Sequence, residues 1–116
     1  MKNIIVVEDD ADIREIFLYV FDPDLYQITG YENGFDIINN SAEVPDIFFV
    51  DKNIPGSSGE TICRHLKTSE KYKGVPVIIF SAGTDLKAIA EECGADDVLA
   101  KPFELKALRD MVARYT

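Results

Sequence analysis

Short apolar runs alternate with longer amphipathic stretches along this chain. Ile4–Val7, Ile47–Val50 and Val75–Phe80 are apolar runs rich in β-branched and aromatic residues, the type found in strands buried on both faces. Tyr26–Thr29 reads as a weaker strand and Val98–Ala100 as a short one. Helical spacing fills the intervals. Ile13, Ile16, Phe17 and Val20 share one face, and Phe35 and Ile38 another. Ile62, Cys63 and Leu66 make the next stripe, followed by Leu86, Ile89, Ala90 and Cys93, and last by Leu105, Leu108, Met111 and Val112.

The punctuation agrees with this parsing. Asp12, Asn33, Ser58 and Thr84 stand near helix starts, where a short side-chain oxygen can accept from unpaired amides. Gly94 follows the fourth helical stripe, a position that favours a left-handed residue. Phe21-Asp22-Pro23 ends the first helix and Ile54-Pro55-Gly56 makes a turn. Five strands alternating with five helices predict a parallel sheet covered on both faces. Periodicity alone leaves the strand order open.

Length and composition narrow the class. The chain has 116 residues, enough for one domain, residues 1–116, with a core that needs no disulfide or metal staple. No apolar run approaches the length of a membrane span, and Met1-Lys2-Asn3 leads straight into a strand rather than a leader peptide. Cys63 and Cys93 are too few for a disulfide framework and read as reduced, buried side chains. The cytosol is the expected compartment. A net charge of −9 argues against nonspecific binding to nucleic acid or anionic lipid. It fits either a solvated acidic surface or a cation site, so the placement of the acids has to decide.

Three sets of charged residues fall at the carboxyl ends of the expected strands, the edge where open α/β sheets place ligands. Glu8-Asp9-Asp10 follows the first strand, Asp51 ends the third, and Lys101-Pro102 follows the fifth. Ser81 adds a hydroxyl at the end of the fourth. Taken singly, each has a plain explanation: a capping loop, an acid before a turn, a surface hydroxyl, a solvated lysine. Together they make the set that phosphoryl transfer to a carboxylate requires. Asp51 would be the nucleophile, and Lys101 and Ser81 would bind phosphoryl oxygens. A hard cation such as Mg²⁺ suits two or three carboxylates. His65, the one histidine, sits in a helical stretch with no catalytic pattern around it and reads as solvated. Ser57-Ser58-Gly59 lacks phosphate-loop spacing.

Four blocks in this order resemble the receiver domain of two-component response regulators. They are Ile4-Ile5-Val6-Val7-Glu8-Asp9-Asp10, Val50-Asp51-Lys52-Asn53-Ile54-Pro55-Gly56-Ser57-Ser58-Gly59, Val75-Pro76-Val77-Ile78-Ile79-Phe80-Ser81-Ala82 and Gly94-Ala95-Asp96-Asp97-Val98-Leu99-Ala100-Lys101-Pro102-Phe103. The resemblance implies a CheY-like (flavodoxin-like) doubly wound α/β fold, a five-stranded parallel sheet in order 2-1-3-4-5 with five flanking helices. It assigns Asp51 as phosphoacceptor. Asp9, Asp51 and the backbone carbonyl of Asn53 would hold Mg²⁺, with Glu8 acting through water and Asp10 left structural. It also implies a cis Lys101–Pro102 bond.

The chain departs from the family at Val98, where a Tyr or Phe is usual, at Lys52, where an apolar residue is common, and at Ser57-Ser58, where Met-Asp is common. The resemblance implies a signalling module that catalyses only its own phosphorylation and dephosphorylation. Its partners would be a histidine kinase or histidine phosphotransfer protein and a downstream protein target. It would signal through the fourth helix, fifth strand and fifth helix, as a monomer or a weak phosphorylation-dependent dimer. Nothing after Tyr115-Thr116 supplies an output domain, so the output is a partner or a segment outside this sequence. Two rivals stand beside this reading. A haloacid-dehalogenase-type phosphatase uses similar groups, but its nucleophile usually ends the first strand. A receiver-like fold that only binds a partner would not need Asp51, Lys101 and the acidic pair together.

Overall fold

The computed structural model describes Met1–Thr116. Its elements alternate as expected: β1 (Lys2–Val7), α1 (Ala11–Val20), β2 (Tyr26–Tyr31), α2 (Phe35–Ile38), β3 (Ile47–Asp51), α3 (Gly59–Thr68), β4 (Val77–Ser81), α4 (Leu86–Cys93), β5 (Asp97–Ala100) and α5 (Leu105–Tyr115). The five strands form one sheet in order β2-β1-β3-β4-β5, and all four pairings are parallel. The sheet therefore changes direction between β1 and β3, which opens a crevice at their carboxyl ends.

Strand alternation divides the core into two layers. Ile5, Val7, Phe48, Val50, Val77 and Ile79 face α2, α3 and α4, packing with Ile37, Ile62, Leu66 and Ile89. Ile4, Val6, Phe49, Ile78, Phe80 and Leu99 face the other way, against Phe17 and Val20 of α1 and Leu108 and Val112 of α5. Phe17 meets Phe49 edge-on, with ring centroids 5.1 Å apart, a favoured aromatic geometry. No helix is long and apolar enough to cross a membrane.

Several boundaries differ from the sequence reading. β2 runs on to Tyr31 although Gly30 interrupts its apolar pattern. β4 begins at Val77 rather than Val75, because Pro76 has no N–H to donate. Its carbonyl still accepts from Phe48 N–H at 2.9 Å. The α2 face is also corrected. Phe35 is 72% exposed, whereas Ile37 is buried. Ile38, the other half of the expected face, is half-buried and packs against the same cluster as Ile37 and Ile62 of α3.

Capping is redistributed too. Asp10, not Asp12, caps α1 by accepting from Asp12 N–H. Ser58 caps α3 through Thr61 N–H. Asn33 accepts from Phe35 N–H at the start of α2, while α4 begins at Asp85 without a side-chain cap, so Thr84 does not serve. Gly94 ends α4 at φ +82°, the left-handed conformation that glycine tolerates without cost. Cys63 and Cys93 are free and buried. His65 is half-buried, and its Nε2 lies 2.9 Å from Asn40 Oδ1, so it is more engaged than a solvated residue.

Candidate functional site

The site grows out of the sheet register. Val7 pairs with Val50, so Glu8 and Asp51 each stand one residue past that pair on neighbouring strands. Phe80 pairs with Asp51, and Ser81 pairs with Ala100. Ser81 and Lys101 therefore follow one step further along the same edge. Four segments spread over most of the chain reach one rim because parallel strands end on the same side.

Lys101 ties the rim together. Its Nζ lies 2.8 Å from Glu8 Oε1 and 3.0 Å from Asp51 Oδ2. Glu8 is 1% exposed and Asp51 4%, so both carboxylates are held out of water and both need this ammonium. Asp51 Oδ1 also accepts from Asn53 N–H at 3.2 Å. The Lys101 ammonium sits 4.9 Å from the centroid of the Phe80 ring, within cation–π range. Asp9 is exposed and faces the open cleft beside Lys52, Asn53 and Ser58. Ligand oxygens from Glu8, Asp9 and Asp51 all lie within 4.8 Å of one another.

Crowded carboxylates shift one another. Burial, then the hydrogen bond with Asp51, pushes the Glu8 carboxyl up to about 7, although Lys101 pulls the other way. Burial opposes the Lys101 charge, but its hydrogen bonds and attraction to Glu8 and Asp51 prevail and hold its pKa above the ordinary lysine value. Three acids against one ammonium leave the cluster short of positive charge. That donor set, oxygen-only and open on the Asp9 side, fits a hard divalent cation.

Ser81 is buried, and its Oγ accepts from Gly83 N–H at 3.0 Å. Its hydroxyl is thus engaged with the loop leading to α4. Asp10 has turned away to cap α1, as the sequence reading expected of a structural acid. The Lys101–Pro102 bond is cis. Val98 is half-buried and packs against the layer that contains α4.

Two contacts were not foreseen. Glu8 was expected to act through water, yet here it is also the closer of the two carboxylates paired with Lys101. Arg14 Nη1 donates to the Glu8 carbonyl at 2.6 Å. Its place one turn into α1, six residues past Glu8, was the available signal.

Comparison with known proteins agrees with this geometry. The family model of the response regulator receiver domain matches residues 4–113. Sporulation initiation phosphotransferase F of Bacillus subtilis (strain 168) is 33% identical over 117 residues, covering 98% of this chain and 93% of that protein. Phosphate regulon transcriptional regulatory protein PhoB of Escherichia coli (strain K12) is 34% identical over 110 residues, 92% of this chain but 48% of that protein. The chain thus spans about half the length of such a transcriptional relative. The receiver domain of the sensor histidine kinase PA1611 from Pseudomonas aeruginosa PAO1, which has a magnesium ion coordinated in its active-site cleft, shares the fold. It has a TM-score of 0.83 and 24% identity, covering 98% of this chain and 96% of that one. On the family match, this chain belongs to the response regulator receiver domains, the phosphorelay signalling modules of two-component systems.

Proposed function

We propose that Asp51 is the phosphoacceptor, that Lys101 and Ser81 are its phosphoryl-binding partners, and that the acidic cleft takes Mg²⁺. The observation that carries the reading is the Lys101 ammonium bridging two buried carboxylates, Glu8 and Asp51, beside the exposed Asp9. Asp9, Asp51 and the Asn53 backbone carbonyl are the direct ligands in this reading, with Glu8 acting through water. The bound cation supplies positive charge that offsets repulsion between an anionic nucleophile and an anionic donor.

The chain's own residues carry the rest. An Asp51 carboxylate oxygen attacks the donor phosphorus. The bond from phosphorus to the donor's leaving atom breaks, and its electron pair departs with the donor, which takes up a proton. Lys101 then follows the new charge, pairing with a phosphoryl oxygen. Ser81 Oγ donates its hydroxyl proton to another of those oxygens, a role compatible with the lone pair that accepts from Gly83 N–H. Water attack on the acyl phosphate returns Asp51 and inorganic phosphate. The module catalyses only these two steps on itself. Its donor is a histidine kinase or histidine phosphotransfer protein, and its output is a downstream protein met by α4, β5 and α5. The setting is cytoplasmic, in a single domain that is monomeric or dimerises weakly on phosphorylation.

Intact mass after incubation with acetyl phosphate and Mg²⁺ tests the reading. A gain of one phosphoryl group in the wild type, abolished by Asp51→Asn and by omitting Mg²⁺, is the expected result. Labelling of Asp51→Asn at the wild-type level overturns it.

A further inference from the structure

The acidic loop after β1 is clamped from both sides. Glu8 N–H donates to Tyr31 O of β2 at 2.9 Å, but no backbone N–H reaches the Glu8 carbonyl. That carbonyl points off the end of the strand and accepts instead from Arg14 Nη1 at 2.6 Å. The orientation of the peptide joining Glu8 to Asp9 is thus set by a side chain one turn into α1. Asp9, the exposed acid of the cluster, hangs from that peptide.

Arg14 reaches the carbonyl only because β2 makes room. Its stem crosses the strand at Gly30, which is paired with Val6. A Cβ on residue 30 would lie 2.9 Å from Arg14 Cδ and 3.5 Å from its Nε. Gly30 does not have a left-handed backbone, so glycine serves here as a slot for the passing side chain. Outside the slot the guanidinium meets only Glu32, at 3.7 Å and 75% exposed, a pair too loose and too solvated to hold it. The hydrogen bond to Glu8 O is the contact that fixes the head group.

We infer that Arg14, seated in the Gly30 slot, is a positioning residue for cation binding, presenting the Glu8-Asp9 peptide at the geometry the acidic site requires. This rests on the reading of the acidic cluster as a Mg²⁺ site. Groups that orient metal ligands from outside the coordination shell are worth roughly ten- to a hundredfold in metal affinity. Arg14 touches neither cation nor phosphoryl group and acts through backbone.

An NMR titration of the ¹⁵N-labelled protein with MgCl₂ alone, well below the melting temperature, reads the affinity from the amides of Asp9, Asn53 and Lys52. Arg14→Ala is expected to weaken Mg²⁺ about tenfold while keeping a dispersed, folded spectrum. Arg14→Lys, which can still donate to Glu8 O, should recover part of the loss. Gly30→Ala should weaken Mg²⁺ by closing the slot, yet add little on top of Arg14→Ala, since the two act through one contact. A purely structural Arg14 would lower the melting temperature and leave Mg²⁺ affinity alone. An Arg14→Ala affinity within about twofold of wild type, or a Gly30→Ala loss that adds in full to it, overturns the inference. A wild type whose amides do not respond at roughly 50 mM Mg²⁺ overturns the metal reading itself, and this inference with it.

Discussion

A methyl group built on Gly59 would lie 2.3 Å from the Asp51 carbonyl oxygen and 2.7 Å from the Lys52 Cα. The first residue of α3 is thus pressed against the backbone that carries the proposed nucleophile, and Gly59 N–H donates to Lys52 O at 2.8 Å. Both neighbours are backbone, so neither can yield by a rotamer change. Gly59→Ala should destabilise the fold by about 1–3 kcal/mol and slow acyl-phosphate formation, because the end of β3 must move. Gly56 is the control. Its φ of +88° strains any L-residue, but nothing lies within 4 Å of its missing Cβ. Gly56→Ala should cost about 1 kcal/mol and label at the normal rate. Urea unfolding and intact mass read the two effects separately.

Asp9 should trade stability against cation binding. It is the exposed member of the acidic cluster, so its repulsion with Glu8 and Asp51 is partly screened. Asp9→Asn should raise the stability of the cation-free protein by no more than about 1 kcal/mol and abolish tight Mg²⁺ binding. Mg²⁺ at a hundred times its dissociation constant should stabilise the wild type by about 2.7 kcal/mol. Thermal melts with and without Mg²⁺ check both. An unchanged wild-type melting temperature in Mg²⁺ would contradict the shared site.

The Glu8 carboxyl predicts a pH trend in protein kept free of divalent cations. Burial and Asp51 raise its pKa from 4.5 to about 7, so between those values the folded state binds the extra proton. Stability contributed by this group is then present below pH 4.5 and is lost as pH rises towards 7, by on the order of 1–3 kcal/mol. Glu8→Gln should flatten that segment of the curve. Chemical denaturation from pH 4.5 to 8 in EDTA measures it, and parallel curves for the two proteins would refute the assignment.

Ser81 and Val98 set the expected strength of the switch. The Ser81 hydroxyl accepts from the Gly83 amide, so a shift of Ser81 towards a phosphoryl group would carry the loop before α4 with it. Val98, half-buried against the same layer, is β-branched and cannot swing into the vacated volume as a ring would. Relay through the loop alone should give a partial population shift. Val98→Tyr should enlarge the beryllofluoride-induced chemical-shift changes in α4 and β5. A wild-type change already complete, to which Val98→Tyr adds nothing, would remove this account.

Where one contact pattern dominates, the sequence was a sufficient guide. Ile4–Val7 and Ile47–Val50 read as two-faced strands because both faces are in fact covered. The acids at their ends stood out because a charge directly after such a run needs a partner, and Glu8 and Asp51 stay buried against Lys101. Other features depended on partners distant in sequence. The extent of β2 follows from pairing with β1 through Tyr31, which overrides the glycine and polar residues in between. In α2 the expected Ile38 does pack inward, but Ile37 rather than Phe35 joins it, because a four-residue helix is too short for its period to decide what the core covers. The Arg14 contact needs α1, the end of β1 and a gap in β2 at once, a three-way coincidence that no local pattern encodes.

The Lys101 bridge also has a consequence for a chain still being made. Its two carboxylate partners lie fifty and ninety-three residues earlier, so the bridge cannot close until the end of β5 has emerged from the ribosome. Until then Glu8 and Asp51 have no ammonium between them, and burying them together is opposed by their own charge. A truncated product ending in α4 would carry Glu8 and Asp51 without the ammonium that pairs them, leaving the acidic rim uncompensated.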